Sequence, residues 1–150
     1  MAVKEALTPP VVAPPPDPVP RSIRRAVLLP VAYVAAVHLA LAQDRYEQDA
    51  HYVGAVFVAA ALVLLIAASV AVSGRRWGPT MKWLAWALTG LTSALLFVGF
   101  VLSRTTGLPS YHHHDWPVIQ LIALVAECAI VALCLAAVSA KRNPTASSDR

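Results

Sequence analysis

The feature that most constrains this chain is the placement of its charges. Between residues 26 and 140 the Asp, Glu, Lys and Arg side chains leave four long apolar blocks, and only Glu127 lies inside one. The blocks run over about 26–42, 52–72, 83–103 and 118–140. A helix rises about 1.5 Å per residue, so some twenty residues cover the roughly 30 Å of a bilayer's hydrocarbon core. The last three blocks reach that length, and the first stands at the short end of the range. They are Ala/Leu-rich and lack period-two alternation, which excludes strands. The expected fold is therefore all-α: an integral membrane four-helix bundle.

Composition agrees. Of the 150 residues 58% are hydrophobic and 13% charged, where a soluble domain carries about 25% charged residues. Too little polar surface remains to cover a water-soluble core. The net charge of +4 does not point to nucleic acid, because the basic residues cap the apolar blocks instead of forming a face interleaved with aromatics. The lipid bilayer is the expected partner, together with a membrane-protein partner or further copies of the chain.

Three regions follow. Residues 1–22 hold the run Pro14-Pro15-Pro16, and residues 1–20 hold seven of the twelve prolines. Such a segment forms neither helix nor sheet interior and is expected as a disordered tail with polyproline II character. Residues 23–142 make the four-helix domain, and 143–150 form a second tail. Short connections make sequential helices antiparallel, giving an up-down-up-down order.

Lys and Arg in short loops orient such a bundle. Arg21, Arg24 and Arg25 precede the first block, Arg75, Arg76 and Lys82 join the second to the third, and Lys141 and Arg142 follow the fourth. The other two loops carry one Arg each, Arg45 and Arg104. Both termini are thereby expected on the cytoplasmic side of the cell membrane. Trp77 and Trp83 fall at the inner interface, and Tyr46, Tyr52 and Trp116 at the outer one, as belt residues do. Ala40-Leu41-Ala42 before Gln43 resembles a signal-peptidase site. The block ahead of it, however, is long for a signal peptide and carries His38, so an uncleaved span is expected.

Lipid tails are as apolar as Leu, so helices in a bilayer associate through small residues and interhelical hydrogen bonds. Ala85, Thr89, Ser93, Gly99 and Ser103 form such a seam on the third block, and Ala55, Ala59, Ala67 and Ala68 on the second. Cys128 and Cys134 lack the spacing of a CxxC redox or zinc pair and do not share a helix face. They read as small core residues.

Candidate chemistry rests on three groups of residues. Glu127 sits near the midplane, where a carboxylate costs about 2.5–3.5 kcal/mol and must face the bundle or be protonated. Gln120, Glu127 and Cys134 are seven apart and share a stripe, and His38, about a turn inside the outer end of the first block, is expected near the depth of Gln120. This intramembrane polar seam serves either as a proton, ion or ligand path, or as a hydrogen bond from Glu127 to Thr89, Thr92 or Ser93. The outer run Tyr111-His112-His113-His114-Asp115-Trp116, with His51 nearby, offers imidazoles of the kind that bind zinc, copper or nickel, although it lacks the spacing of a structural zinc site. In the segment Ser103 to Pro109, Gly107 suits a positive-φ helix end and Pro109 prevents the helix from resuming.

The run VLSRTTGLPS, the Asp115-Trp116 step and the internal Glu127 resemble a group of small bacterial four-helix membrane proteins without an assigned activity. Those carry an S-R-T-x-G-L-P exit before the last helix. The likeness covers about residues 97–132 and implies roles for Arg104, Gly107, Pro109, Trp116 and Glu127. The triple His departs from that pattern. No catalytic set is present, so a non-enzymatic accessory or sensing subunit is expected. The alternative is a metal- or proton-handling transporter using the outer His cluster and Glu127. A haem or disulfide-forming enzyme fits less well, because His38 is the one histidine clearly within a block and neither Cys faces water.

Overall fold

The structure is a computed structural model that describes residues 19–47, 51–73, 77–107 and 117–142. Among them there are no strands. The elements are α1 (Arg21–Ala26), α2 (Leu28–Glu47), α3 (His51–Val72), α4 (Pro79–Thr105) and α5 (Val118–Arg142). Four segments are long and apolar enough to cross a membrane: Arg21–Tyr46, His51–Val72, Pro79–Thr105 and Val118–Ala140. The Pro-rich segment lies outside the described residues up to position 18.

The first apolar segment is longer than its expected 17 residues because helix continues past the apolar block at both ends. It carries one interruption, at Val27. Pro30 explains the position. It has no N–H to donate to the carbonyl of Ala26, four residues back, and its ring crowds that group. Val27 nonetheless keeps right-handed helical angles, and Val31 still donates to the Val27 carbonyl at 3.2 Å, so the axis carries on. At the far end α2 runs without a break through Ala42 and Gln43 to Glu47. The exit of α4 is built as its residues suggest: Gly107 has φ 79°, and the Leu102 carbonyl accepts from both Thr106 and Gly107.

Helices α2, α3, α4 and α5 pack in chain order, and α5 closes on α2. Between α2 and α3 the packing centres on Gly54, where an added Cβ would stand 2.9 Å from the Tyr46 ring and 3.0 Å from the Ala42 carbonyl oxygen. The Tyr46 ring can swing away, but the backbone oxygen cannot. Gly54→Ala is therefore expected to destabilise the bundle by about 1–3 kcal/mol, read as a lower unfolding midpoint in detergent. Adding Tyr46→Ala should recover only part of the loss. The seam on α4 faces inward at Ala85, Thr89, Ser93 and Ser103. On α3 the inward stripe includes Gly54, Ala61, Ala67, Ala68 and Ala71, whereas the expected seam residues Ala55 and Ala59 are exposed.

The bundle has two unlike halves. The half nearer the α3–α4 connection is filled: Trp86, Leu64, Ile130, Val27 and Val34 are each less than 2% exposed. The half nearer the α2–α3 and α4–α5 connections is hollow. Around both, large apolar side chains such as Leu29, Ile66, Leu95 and Val125 point outward, 62–79% exposed. Such a surface suits hydrocarbon and is far larger than soluble proteins present.

Candidate functional site

The hollow half holds a partly open cavity of about 250 Å³ lined from all four long helices. Water in bulk occupies about 30 Å³ per molecule, so this is room for roughly eight waters. Its polar lining comes in two tiers. Arg45, Ser103, Arg104 and Gln120 stand near the connections, and His38 and Glu127 stand deeper. Arg45 to His38 on α2 and Gln120 to Glu127 on α5 are both seven-residue steps, which is two turns or about 10 Å. Apolar side chains separate the tiers, among them Leu41, Phe57, Phe100 and Leu124.

The upper tier is cationic. Arg45 and Arg104 are 4% and 7% exposed. Arg104 donates to the Gln120 side-chain oxygen, and its guanidinium lies 5.1 Å from the Phe100 ring centroid one turn back. That geometry gives a cation–π contact. Arg45 is drawn in because α2 stays helical past the apolar block, which brings the side chain onto the bundle-facing stripe two turns beyond His38.

The lower tier is an acid–imidazole pair. His38 Nε2 lies 3.8 Å from Glu127 Oε1, and the His38 ring meets Phe57 edge-on at 4.9 Å. The other ring nitrogen, Nδ1, lies 2.8 Å from the Val34 carbonyl oxygen. A carbonyl only accepts, so Nδ1 carries the hydrogen, and in the neutral ring Nε2 presents a lone pair to Glu127. Glu127 Oε1 is the charged or polar atom that this nitrogen faces, at a distance longer than a direct hydrogen bond.

Glu127 is 2% exposed, and its Oε2 has no hydrogen-bond partner among the described residues. The same holds for Ser93 Oγ, which is fully buried one turn of α4 farther down. Buried polar atoms of this kind are satisfied in most proteins by protein or ordered water. The hydrogen bond expected from Glu127 to Thr89, Thr92 or Ser93 is replaced by the approach of His38: Thr89 instead donates to the Ala85 carbonyl at 2.8 Å.

The seam foreseen in the residues is thus laid out in space. Gln120, Glu127 and Cys134 share the buried stripe of α5, but His38, expected at the depth of Gln120, faces Glu127 two turns deeper. Cys128 is exposed and Cys134 buried, and both are free. Arg45 and the inward turn of Arg104 were missed by sequence reasoning, which placed both in loops. The available signal was their spacing, since Arg45 is seven residues from His38 and Arg104 eleven from Ser93. The proposed metal shell stays open: His112, His113, His114, Asp115, Trp116 and Pro109 lie outside the described residues. His51 is exposed at the start of α3, its ring 5.8 Å from that of Tyr46. Among the described residues no group of three or more His, Cys, Asp or Glu side chains is placed to hold a metal ion.

Fold and site together define a protein that is helical over its described residues, with four helices long and apolar enough to span a membrane and, in one half, a mostly apolar cavity that carries a few buried polar side chains. No protein-family model, curated protein or solved structure matches the chain.

Proposed function

We propose that this is a small multi-pass protein of the bacterial inner membrane, arranged up-down-up-down with both termini in the cytoplasm. There it acts as a non-enzymatic sensing or accessory subunit that receives a small ligand from the outer side. The observation that carries this reading is the position of the cavity: it lies in the half nearer the α2–α3 and α4–α5 connections, with Arg45, Arg104, Gln120, His38 and Glu127 in its lining, while Trp86, Leu64 and Ile130 pack the core of the other half. A binding site needs a floor, whereas a transport path needs a continuation.

The orientation rests on Lys and Arg flanking the spans. Arg45 and Arg104, the exceptions to the basic-inside pattern, are buried in the cavity and so weigh less as loop charges. The likeness of the Ser103–Pro109 exit to that of small bacterial four-helix proteins supports the bacterial inner membrane.

Thiol accessibility tests the cavity. In a Cys128→Ala background, a cysteine at position 123, from Ala123→Cys, lines the hollow half, while native Cys134 sits in the filled half. A small membrane-impermeant methanethiosulfonate added from outside should label the new cysteine and leave Cys134 unmodified. Equal protection of both would refute an outward-opening cavity.

A second reading, proton handling, draws support from the buried approach of His38 to Glu127. It separates on Glu127→Gln in proteoliposomes. A sensing subunit retains its fold and its partner, while a proton path loses its flux. Co-purification with a fixed membrane partner would favour the accessory role.

A further inference from the structure

The lining also specifies the chemistry of what fits. Two guanidiniums stand at the mouth tier of a single cavity, each more than nine-tenths buried. Both have partners within the protein, and each guanidinium presents N–H donors in a planar fork at the cavity lining. That fork matches a carboxylate or phosphate bidentately.

Below it the walls turn apolar over about 10 Å, through Leu41, Phe57, Phe100 and Leu124. The floor is the His38–Glu127 pair, about two helical turns below the guanidiniums. The arrangement, from the connections inward, is cationic, then apolar, then a buried acid–imidazole pair.

We propose that the cavity binds an amphiphilic organic anion, with its carboxylate or phosphate head on Arg45 and Arg104 and its hydrocarbon body along Leu41, Phe57, Phe100 and Leu124. This rests on the reading of the cavity as an outward-opening binding site. The anion comes either from solution, as a medium-chain carboxylate, or from the bilayer, as the head and one chain of an anionic lipid. The chemistry that recognises it is the same.

The test uses the full chain with Cys128→Ala and Ala123→Cys. First, labelling rates are compared for two methanethiosulfonates of similar size, one carrying a sulfonate and one a trimethylammonium. Clefts lined by one sign of charge raise encounter rates for the opposite sign about tenfold or more, so the sulfonate reagent should react at least about ten times faster. Arg45→Gln should remove most of that preference, and Arg45→Lys should keep it. Both variants are checked for folding by size-exclusion profile, and a second pair, Arg104→Gln and Arg104→Lys, covers failure of the first to fold.

Second, octanoate should slow labelling at concentrations where octanol and octylamine do not. In vesicles without added octanoate, slower labelling with phosphatidylglycerol than with phosphatidylcholine identifies the lipid as the source. Slowing only by octanoate in both identifies the soluble amphiphile.

The outcomes separate cleanly. If the position-123 cysteine is not labelled at all, the outward-opening cavity itself fails. If it is labelled without charge preference and neither octanoate nor anionic lipid protects it, the cavity stands as a hydrated vestibule and the anion proposal is overturned.

Discussion

Replacing His38 by Leu is expected to destabilise the bundle by about 3 kcal/mol, the scale of a lone acidic group held at bilayer depth. Glu127 Oε1 faces His38 across 3.8 Å, and Oε2 has no partner among the described residues. Removing the imidazole leaves the carboxyl with neither a proton acceptor nor a counter-charge in an apolar wall. Replacing both members of a buried pair by apolar groups is often neutral or stabilising, whereas removing one is not. His38→Leu with Glu127→Met should therefore recover most of the loss, and His38→Leu with Glu127→Gln a part of it. Denaturation in mixed detergent, run as a double-mutant cycle, checks this. Additive effects would mean that the two side chains do not interact and that the lower tier is two independent groups.

Trp86→Ala should have the larger effect on stability, about 3–5 kcal/mol, as for other fully buried aromatic truncations. The Trp86 side chain is 1% exposed and packs in one cluster with Leu64, Ile130 and Cys134. In a bilayer such packing is a main source of helix association, because burial from lipid supplies little. The substitution also has a local consequence. Trp86 helps to close the filled half, so Cys134, inert in the parent, should react with a permeant maleimide in the variant. A variant that unfolds at the parent's midpoint with Cys134 still inert would show that Trp86 is not what separates the two halves.

These two substitutions act on the two halves of the bundle and should be independent in effect. Sites more than about 7–10 Å apart without shared partners usually add, and Trp86 lies on α4 seven residues, about 10 Å, from Ser93. Ser93 is the buried side chain one turn below the level of the acid–imidazole pair.

Four segments long and apolar enough to cross a membrane were legible in the sequence before any packing was known. Four blocks nearly free of charge have the length of a bilayer, and that alone sets how many helices form and where they start and stop to within a few residues. It also marked Glu127, Gln120 and His38, because a polar group in an apolar block must face inward. It did not decide which stripe of α3 turns inward. That helix is apolar all round, so periodicity carries no signal, and Ala55 and Ala59 face outward while Gly54 and Ala61 are buried.

Nor did it show that Arg45 and Arg104 belong to the cavity. In a linear reading a charge just beyond an apolar block is a loop charge. Its direction depends on how far the helix continues past the block, and α2 and α4 each continue far enough to turn the side chain inward. The division into a filled and a hollow half is likewise tertiary. It depends on which side chains from four separate helices meet at one level: Trp86 with Leu64 and Ile130 in one half, Phe57 with Gly99 and Ala123 in the other. Volume at a shared level is a property of all four helices together, and no single stretch of sequence encodes it.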